Sequence, residues 1–229
     1  MRIRAVGLEV EGGWDGEPGV PPFDDLLLTS DHSVDGRMQP PDKVLQSVHV
    51  GEAVSPPLEP LPRVYKDWIN KHWPTETNIT CGYHIHLSFD KIKDYSLLTT
   101  KTFLYHLNAR MEELGQELKL PPEHYLWRRL AGVSQFAKLQ YDTAKQLGLR
   151  QKRVGDPVRY GFLNHCFKLH GTVEFRALPT FETPELAIAF TENYLDFTEE
   201  FLDKNQDSMK LTHAVSLYYS PAGPRVISL

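Results

Sequence analysis

Apolar and polar residues alternate with a period of two in four separate stretches of the chain, as in strands that bury one face. The stretches are residues 6–11, 51–55, 81–87 and 172–176. The outer face of a half-buried sheet usually carries Lys, Thr and Ser. Here the polar positions in phase are Glu9, Glu11, Glu52, His84, His86, Glu174 and Arg176. The pattern therefore predicts one sheet whose polar face surrounds a charged ligand.

Apolar residues three and four positions apart predict helices elsewhere. These helices cover residues 61–73, 97–118 and about 123–148, and a last one has Thr183 as N-cap and Pro184 at its first position. The prolines between residues 12 and 62 leave room only for loops and short strands, expected at residues 23–28 and 44–50. Residues 160–169 and 172–178 predict two strands joined by a turn.

Two loops have alternative interpretations. Residues 29–36 are rich in turn formers and predict either a hairpin turn or a loop that contacts substrate. Residues 149–158 are basic and contain Gly and Pro, which is typical of a solvated loop or of a flap over an anionic ligand.

Composition indicates one globular domain spanning residues 1–229. The chain is 41% hydrophobic and 24% charged, and its net charge of -5 argues against nucleic acid as a partner. No apolar run is long enough for a membrane span, and the N-terminus lacks the features of a signal peptide. We therefore expect a cytoplasmic protein without a membrane partner. Cys81 and Cys166 are predicted to be buried free thiols.

The residue types on the predicted polar face suit divalent cations. Carboxylate oxygens are the ligands of Mg²⁺ and Mn²⁺, whereas structural zinc sites favour several Cys or His ligands. Four like charges in one cleft repel one another unless cations compensate them. Each motif alone has another interpretation: Glu-x-Glu as a solvated strand edge, His-x-His as a zinc hydrolase site, and Glu-x-Arg as a surface ion pair. Their joint occurrence in phase favours a metal site.

Four motifs occur in the same order as the signature stretches of the amidoligase family and resemble them. Members of that family are carboxylate-amine ligases related to glutamine synthetase and glutamate-cysteine ligase. The motifs are Gly7-Leu8-Glu9-Val10-Glu11, Gly51-Glu52-Ala53-Val54-Ser55-Pro56-Pro57-Leu58, Cys81-Gly82-Tyr83-His84-Ile85-His86, and Asn164 followed by Gly171-Thr172-Val173-Glu174-Phe175-Arg176. The resemblance covers roughly residues 5 to 200. It implies an α+β fold in which a curved antiparallel sheet has a polar concave face and helices packed outside, as in the glutamine synthetase catalytic domain.

The resemblance also implies cofactors and a role for each site residue. ATP is the implied co-substrate, with two or more Mg²⁺ (or Mn²⁺) ions. The ligands of the metal nearer the ATP phosphates would be Glu9, His84 and Glu174, and those of the second metal Glu11 and Glu52. The residues facing the phosphates or the acyl phosphate would be His86, Arg159 and Arg176, and Asn164 would belong to the nucleotide-binding set.

The implied reaction joins a small-molecule or peptide carboxylate to an amine. The carboxylate attacks the γ-phosphate of ATP, and the amine then displaces phosphate from the acyl phosphate to leave an amide or isopeptide bond. The chain has no G-x-x-x-x-G-K-[ST] loop, so metals and strand side chains would hold the nucleotide. Two alternatives stay open, a metal-dependent hydrolase with His84 and His86 as zinc ligands and a non-catalytic binding module that retains the fold. No pattern in the sequence indicates the substrates or the oligomeric state.

Overall fold

An antiparallel sheet forms the centre of the protein. The computed structural model describes residues 1–16, 27–29, 43–98, 100–134, 137, 161–166 and 170–205. The strands are β1 (Ile3–Trp14), β2 (Leu27–Thr29), β3 (His49–Val54), β4 (Gly82–Phe89), β5 (Leu163–His165) and β6 (Val173–Pro179). They pair in the order β2-β3-β1-β4-β6-β5, and every pairing is antiparallel. The sheet is open.

Helices in the described ranges are α1 (Pro62–His72), α2 (Ile92–Leu98), α3 (Lys101–Glu117), α4 (Tyr125–Leu130) and α5 (Pro184–Lys204). The predicted α+β class with an antiparallel sheet is confirmed, and so is the start of α5, where Thr183 caps the helix and Pro184 is its first residue. A likeness to the glutamine synthetase catalytic domain stays a prediction. No helix among these is both long enough and apolar enough to cross a bilayer.

Two predicted helices are wrong in extent. The helix expected over residues 97–118 is α3, which begins only at Lys101 because the Thr100 side chain caps it, whereas Leu97 and Leu98 are the end of α2. The helix expected over residues 123–148 ends at Leu130, where Gly132 adopts a positive φ of 70° that an α-helix does not allow. Of its predicted remainder, residues 135–136 and 138–148 lie outside the described residues.

The strand predicted at residues 44–50 is also shifted, since β3 begins only at His49. The physical reason is that the backbone N–H groups of Gln46 and Ser47 donate to the Glu76 carboxylate at 2.6 and 2.8 Å instead of to a neighbouring strand. The predicted strand at residues 160–169 is β5, reduced to three residues. The remaining predictions fall outside the described residues: Arg159, the loops at residues 30–36 and 149–158, and residues 23–26 of a predicted strand.

The apolar face of the sheet is covered by helices. Val6, Leu8 and Val10 of β1 are fully buried in the same hydrophobic cluster as residues of α1, α3 and α5. The rings of Phe175 in β6 and Tyr194 in α5 are 4.9 Å apart. Because successive strand residues point to opposite faces, this packing turns the intervening polar residues to the other face.

A pair of threonine caps gives a test of the helix starts. The Thr100 hydroxyl accepts the Phe103 N–H at 3.1 Å, whereas the Thr183 hydroxyl accepts the Leu186 N–H at 3.5 Å. We expect Thr100→Ala to lower the free energy of unfolding by about 1 kcal/mol, because an orphan N–H at the first turn loses its partner. Thr183→Ala should cost less, since its bond is longer. Urea unfolding of both variants checks the order, and a larger loss for Thr183→Ala would contradict it.

Candidate metal site

Strand register brings the predicted site residues of four strands together. Glu9 of β1 lies opposite His84 of β4, and His86 lies opposite Glu174 of β6. On the far side of β1, Glu11 lies opposite Glu52 of β3. Side chains directly opposite one another in an antiparallel pair are close neighbours on the same face. The sheet therefore converts residues more than 160 positions apart in sequence into one polar cluster.

A bulge lies at the centre of this cluster. Tyr83 pairs with Leu178, but Ile85 pairs with Phe175, so the single residue His84 faces two residues of β6, Arg176 and Ala177. A β-bulge re-aims the side chains beside it and is frequent next to active sites. The bulge thus lies beside both His84 and Arg176.

Glu9 forms the middle of the site. Its Oε2 atom is 3.2 Å from Nδ1 of His84, and its Oε1 atom is 3.0 Å from Nε2 of His86. The other ring nitrogen of His86, Nδ1, is 3.0 Å from the Thr172 hydroxyl, and this contact orients the ring. Both histidines are buried, so one partly buried carboxylate holds two imidazoles in fixed positions.

Glu174 has a separate set of partners. Arg176 Nη1 bonds to its Oε1 atom, while Asn164 Nδ2 and Cys166 Sγ both donate to its Oε2 atom at 3.2 Å. The same Oε1 atom is 3.8 Å from Nδ1 of His84. Glu174 is only 1% exposed, and a buried carboxylate is stable only when charged or polar donors surround it.

Among the described residues, two groups of three side chains have donor atoms within 4.8 Å of one another. One group is Glu9, His86 and Glu174, and the other is Glu9, Glu52 and His84. Each contains two carboxylates and one imidazole, which suits Mg²⁺ or Mn²⁺ better than a structural zinc ion. Both groups share Glu9, so the arrangement offers neighbouring positions for cations.

Glu11 lies beside the two groups but belongs to neither. Its buried carboxylate accepts the Gly82 N–H at 2.5 Å. A Cβ atom on Gly82 would stand 2.7 Å from Nε2 of His84, 3.1 Å from Glu11 Oε2 and 3.2 Å from Nη1 of Arg129. Only glycine leaves space for these three polar groups around the start of β4.

The pKa values of the site reflect burial and the neighbouring charges. Burial lowers the pKa of His84 to about 4, and the positive charge of Arg176 acts in the same direction. Burial alone would raise the pKa of Glu9, but the charge of His86 and the hydrogen bonds of His84 and His86 hold it well below its usual range. For Arg176, burial is outweighed by Glu174 and Glu11, which raise its pKa. His84 is therefore neutral in the fold, as a metal ligand must be.

Most of the predicted residues meet at one place. The cluster contains Glu9, Glu52, His84, His86, Glu174 and Arg176. Asn164 contacts it through Glu174. The grouping differs in detail from the predicted ligand sets, because His86 lies with Glu9 and Glu174 and because Glu11 bonds to the Gly82 backbone.

The sequence reasoning missed three residues of the site: Thr172 beside His86, Cys166 beside Glu174 and Arg129 beside Gly82. Cys81 and Cys166 are both free and buried, as predicted. The sequence does contain an indication that Arg129 is buried. Arg129 is three residues after Leu126 and one before Leu130, two apolar residues buried on the same face of α4.

Comparison of the chain with protein-family models, with curated proteins and with solved structures gave no match.

Acid should destabilise the metal-free protein through His84. Its pKa falls from an ordinary 6.5 to about 4, so below pH 6.5 the unfolded chain binds a proton that the folded protein does not. We expect stability to be fully present above pH 6.5 and to fall by up to about 3 kcal/mol as the pH drops toward 4. Urea unfolding in EDTA at four pH values should show that His84→Gln loses less stability than the wild type as the pH falls.

The matched control is His106→Gln, which removes an exposed imidazole on α3. This variant should keep the pH dependence of the wild type. An equal slope in His84→Gln and the wild type would contradict a neutral, buried His84.

Proposed function

We propose that the protein is an ATP-dependent carboxylate-amine ligase that forms an amide or isopeptide bond through an acyl phosphate. The observation that carries the proposal is the junction of two oxygen-rich metal-ligand groups with a buried arginine. Glu174 links one of these ligand groups to the arginine, since it is a ligand candidate and also bonds to Arg176. Activation of a carboxylate by ATP needs both elements, cations on the phosphate oxygens and a fixed positive charge at the transferred group.

The charge of the cluster supports divalent cations. Glu9, Glu11, Glu52 and Glu174 carry four negative charges, and Arg129 and Arg176 carry two positive ones. Within the described part of the cluster, two negative charges remain when both imidazoles are neutral, as metal ligation requires. A buried or half-buried site with such an excess attracts a divalent ion strongly. Glu9, Glu52, His84, His86 and Glu174 would hold the Mg²⁺ or Mn²⁺ ions.

The ions, when bound, would supply positive charge to the phosphate oxygens of ATP. Arg176 would add a planar guanidinium at the same place. Its Nη1 already bonds to Glu174, and its Nε has no hydrogen-bond partner within the described residues, so it retains donor capacity for a phosphate oxygen. An arginine can bind two oxygens of one phosphate in a fixed geometry, which a lysine cannot.

The other side chains would orient these groups. Thr172 fixes the ring of His86, and Asn164 and Cys166 hold the second oxygen of Glu174. Glu174 therefore keeps one oxygen, Oε1, directed toward the histidines and Arg176. Preorganised groups of this kind lower the barrier to phosphoryl transfer because they need no rearrangement during the reaction. Amine attack on the acyl phosphate would complete the amide bond.

The zinc hydrolase alternative fits the cluster less well. A His-x-His zinc site would place both imidazoles on one ion, but His84 and His86 belong to different groups, each with two carboxylates. A hydrolase would also have no phosphoryl group for Arg176 to bind. The non-catalytic alternative makes a different prediction, since it requires no nucleotide.

Nucleotide binding should depend on metal. We expect calorimetry with a non-hydrolysable ATP analogue to show binding in Mg²⁺ or Mn²⁺ and at least tenfold weaker binding in EDTA, about 1.4 kcal/mol of binding free energy. Glu174→Gln should bind the analogue as weakly in Mg²⁺ or Mn²⁺ as in EDTA, because the substitution removes one ligand charge. Glu113→Gln, on the surface of α3 and 63% exposed, should bind as the wild type does. Metal-independent binding, or none with either ion, would contradict the ligase proposal.

Arg176→Lys should separate the ligase from the other two functions. The substitution keeps the charge and loses the planar fork, so ADP formation at saturating ATP should fall more than tenfold, about 1.4 kcal/mol of transition-state stabilisation. The measurement is ADP release during incubation with mixtures of amino acids, polyamines and peptides. Arg110→Lys is the matched control, because Arg110 also pairs with carboxylates, those of Glu113 and Glu117, but is 30% exposed on α3. Unchanged ADP release in Arg176→Lys would remove the phosphate role of this residue.

A further inference from the structure

Arg129 of α4 is a charged side chain in the protein interior, only 1% exposed. An arginine guanidinium keeps its charge under all ordinary conditions, and burial of an uncompensated charge costs several kcal/mol. Such a residue needs hydrogen-bond acceptors and a negative charge close by. Both are present beside the site, although Arg129 belongs to a helix outside the sheet.

The hydrogen bonds of Arg129 join the ends of two strands. Its Nη2 atom donates to the Cys81 carbonyl at 2.8 Å and to the Thr80 carbonyl at 3.4 Å, immediately before β4. Its Nη1 atom donates to the Leu178 carbonyl near the end of β6 at 3.1 Å. β4 carries His84 and His86, and β6 carries Glu174 and Arg176. One guanidinium thus sets the relative position of the two strands that contribute most of the site.

Glu11 supplies the negative charge. Burial lowers the pKa of Arg129, and the charge of Glu11 acts against this effect. The Glu11 carboxylate also accepts the N–H of Gly82, the residue that follows Cys81. Arg129, Glu11 and His84 all lie within 3.2 Å of the point where a Cβ on Gly82 would stand. The guanidinium, the carboxylate and the imidazole of His84 thus surround one backbone position, the second residue after Thr80.

From these contacts we propose that Arg129 is a positioning residue: together with Glu11 it holds the start of β4, and so fixes the imidazole of His84 for metal binding. The inference rests on the proposed function, because it assigns Arg129 to the same metal site. It also gives Glu11 a role other than ligation, as the counter-charge of Arg129. A guanidinium is suited to this place because its several N–H groups reach three carbonyls at once, whereas an ammonium is a compact point charge.

The test is Mn²⁺ affinity by calorimetry, without nucleotide, on Arg129→Lys and on the surface control Arg110→Lys. Circular dichroism and urea unfolding of each variant establish that it is folded. We expect Arg129→Lys to bind Mn²⁺ at least fivefold more weakly than the wild type, and Arg110→Lys to bind it equally well. Binding by folded Arg129→Lys within twofold of the wild type would overturn the inference and leave the proposed function intact. A wild-type protein that binds neither Mn²⁺ nor Mg²⁺ would overturn both.

A double variant decides the case in which Arg129→Lys does not fold. Glu11→Gln with Arg129→Met removes both buried charges together, so the double variant should fold because neither charge remains uncompensated. It should bind Mn²⁺ at least fivefold more weakly than the wild type, since the strand ends are no longer held. Equal affinities, or a double variant that also fails to fold, would show that Arg129 serves the fold alone and would overturn the inference.

Discussion

Repulsion between carboxylates on neighbouring strands is the constraint that the polar face has to satisfy. Glu9, Glu11, Glu52 and Glu174 lie on three strands, and like charges at these separations cannot all be ionised in a buried place without compensation. The compensation differs for each. Glu174 bonds to Arg176, the charge of Glu11 acts on Arg129, and Glu9 is held by two imidazoles. The excess that remains is concentrated around Glu9 and Glu52, where a divalent cation would complete the balance.

The hydrophobic face of the sheet makes this crowding possible. Val6, Leu8, Ile85 and Phe175 are fully buried under the helices, and each buried residue costs about 1.5–3 kcal/mol to expose. A one-residue slip between strands would exchange the two faces, so the core fixes the register and the register fixes which polar groups meet. The free energy that holds the carboxylates near one another thus comes from the opposite face of the sheet.

What the sequence predicted was local, and what it did not predict depends on contacts between distant segments. Strand periodicity identified Glu9, His84 and Glu174 correctly as neighbours on one face, because side-chain direction follows from position alone. The bulge opposite His84 depends on the pairing of β4 with β6, which no single strand encodes. Arg129 was missed because a charged residue in a helix is usually solvated. The end of α4 was missed too, although Gly132 could have indicated it.

The two buried arginines differ in what they bind, and this difference separates structure from chemistry within one cluster. Arg129 donates to carbonyl groups of the main chain, which cannot move unless the sheet moves. Arg176 donates to the side chain of Glu174, and its Nε atom has no hydrogen-bond partner within the described residues. Because its present acceptor is a side chain and not the main chain of a strand, Arg176 can add an anionic ligand as an acceptor without disturbing the strands. The same sheet uses one guanidinium to hold its strand ends and leaves the other available at its polar face.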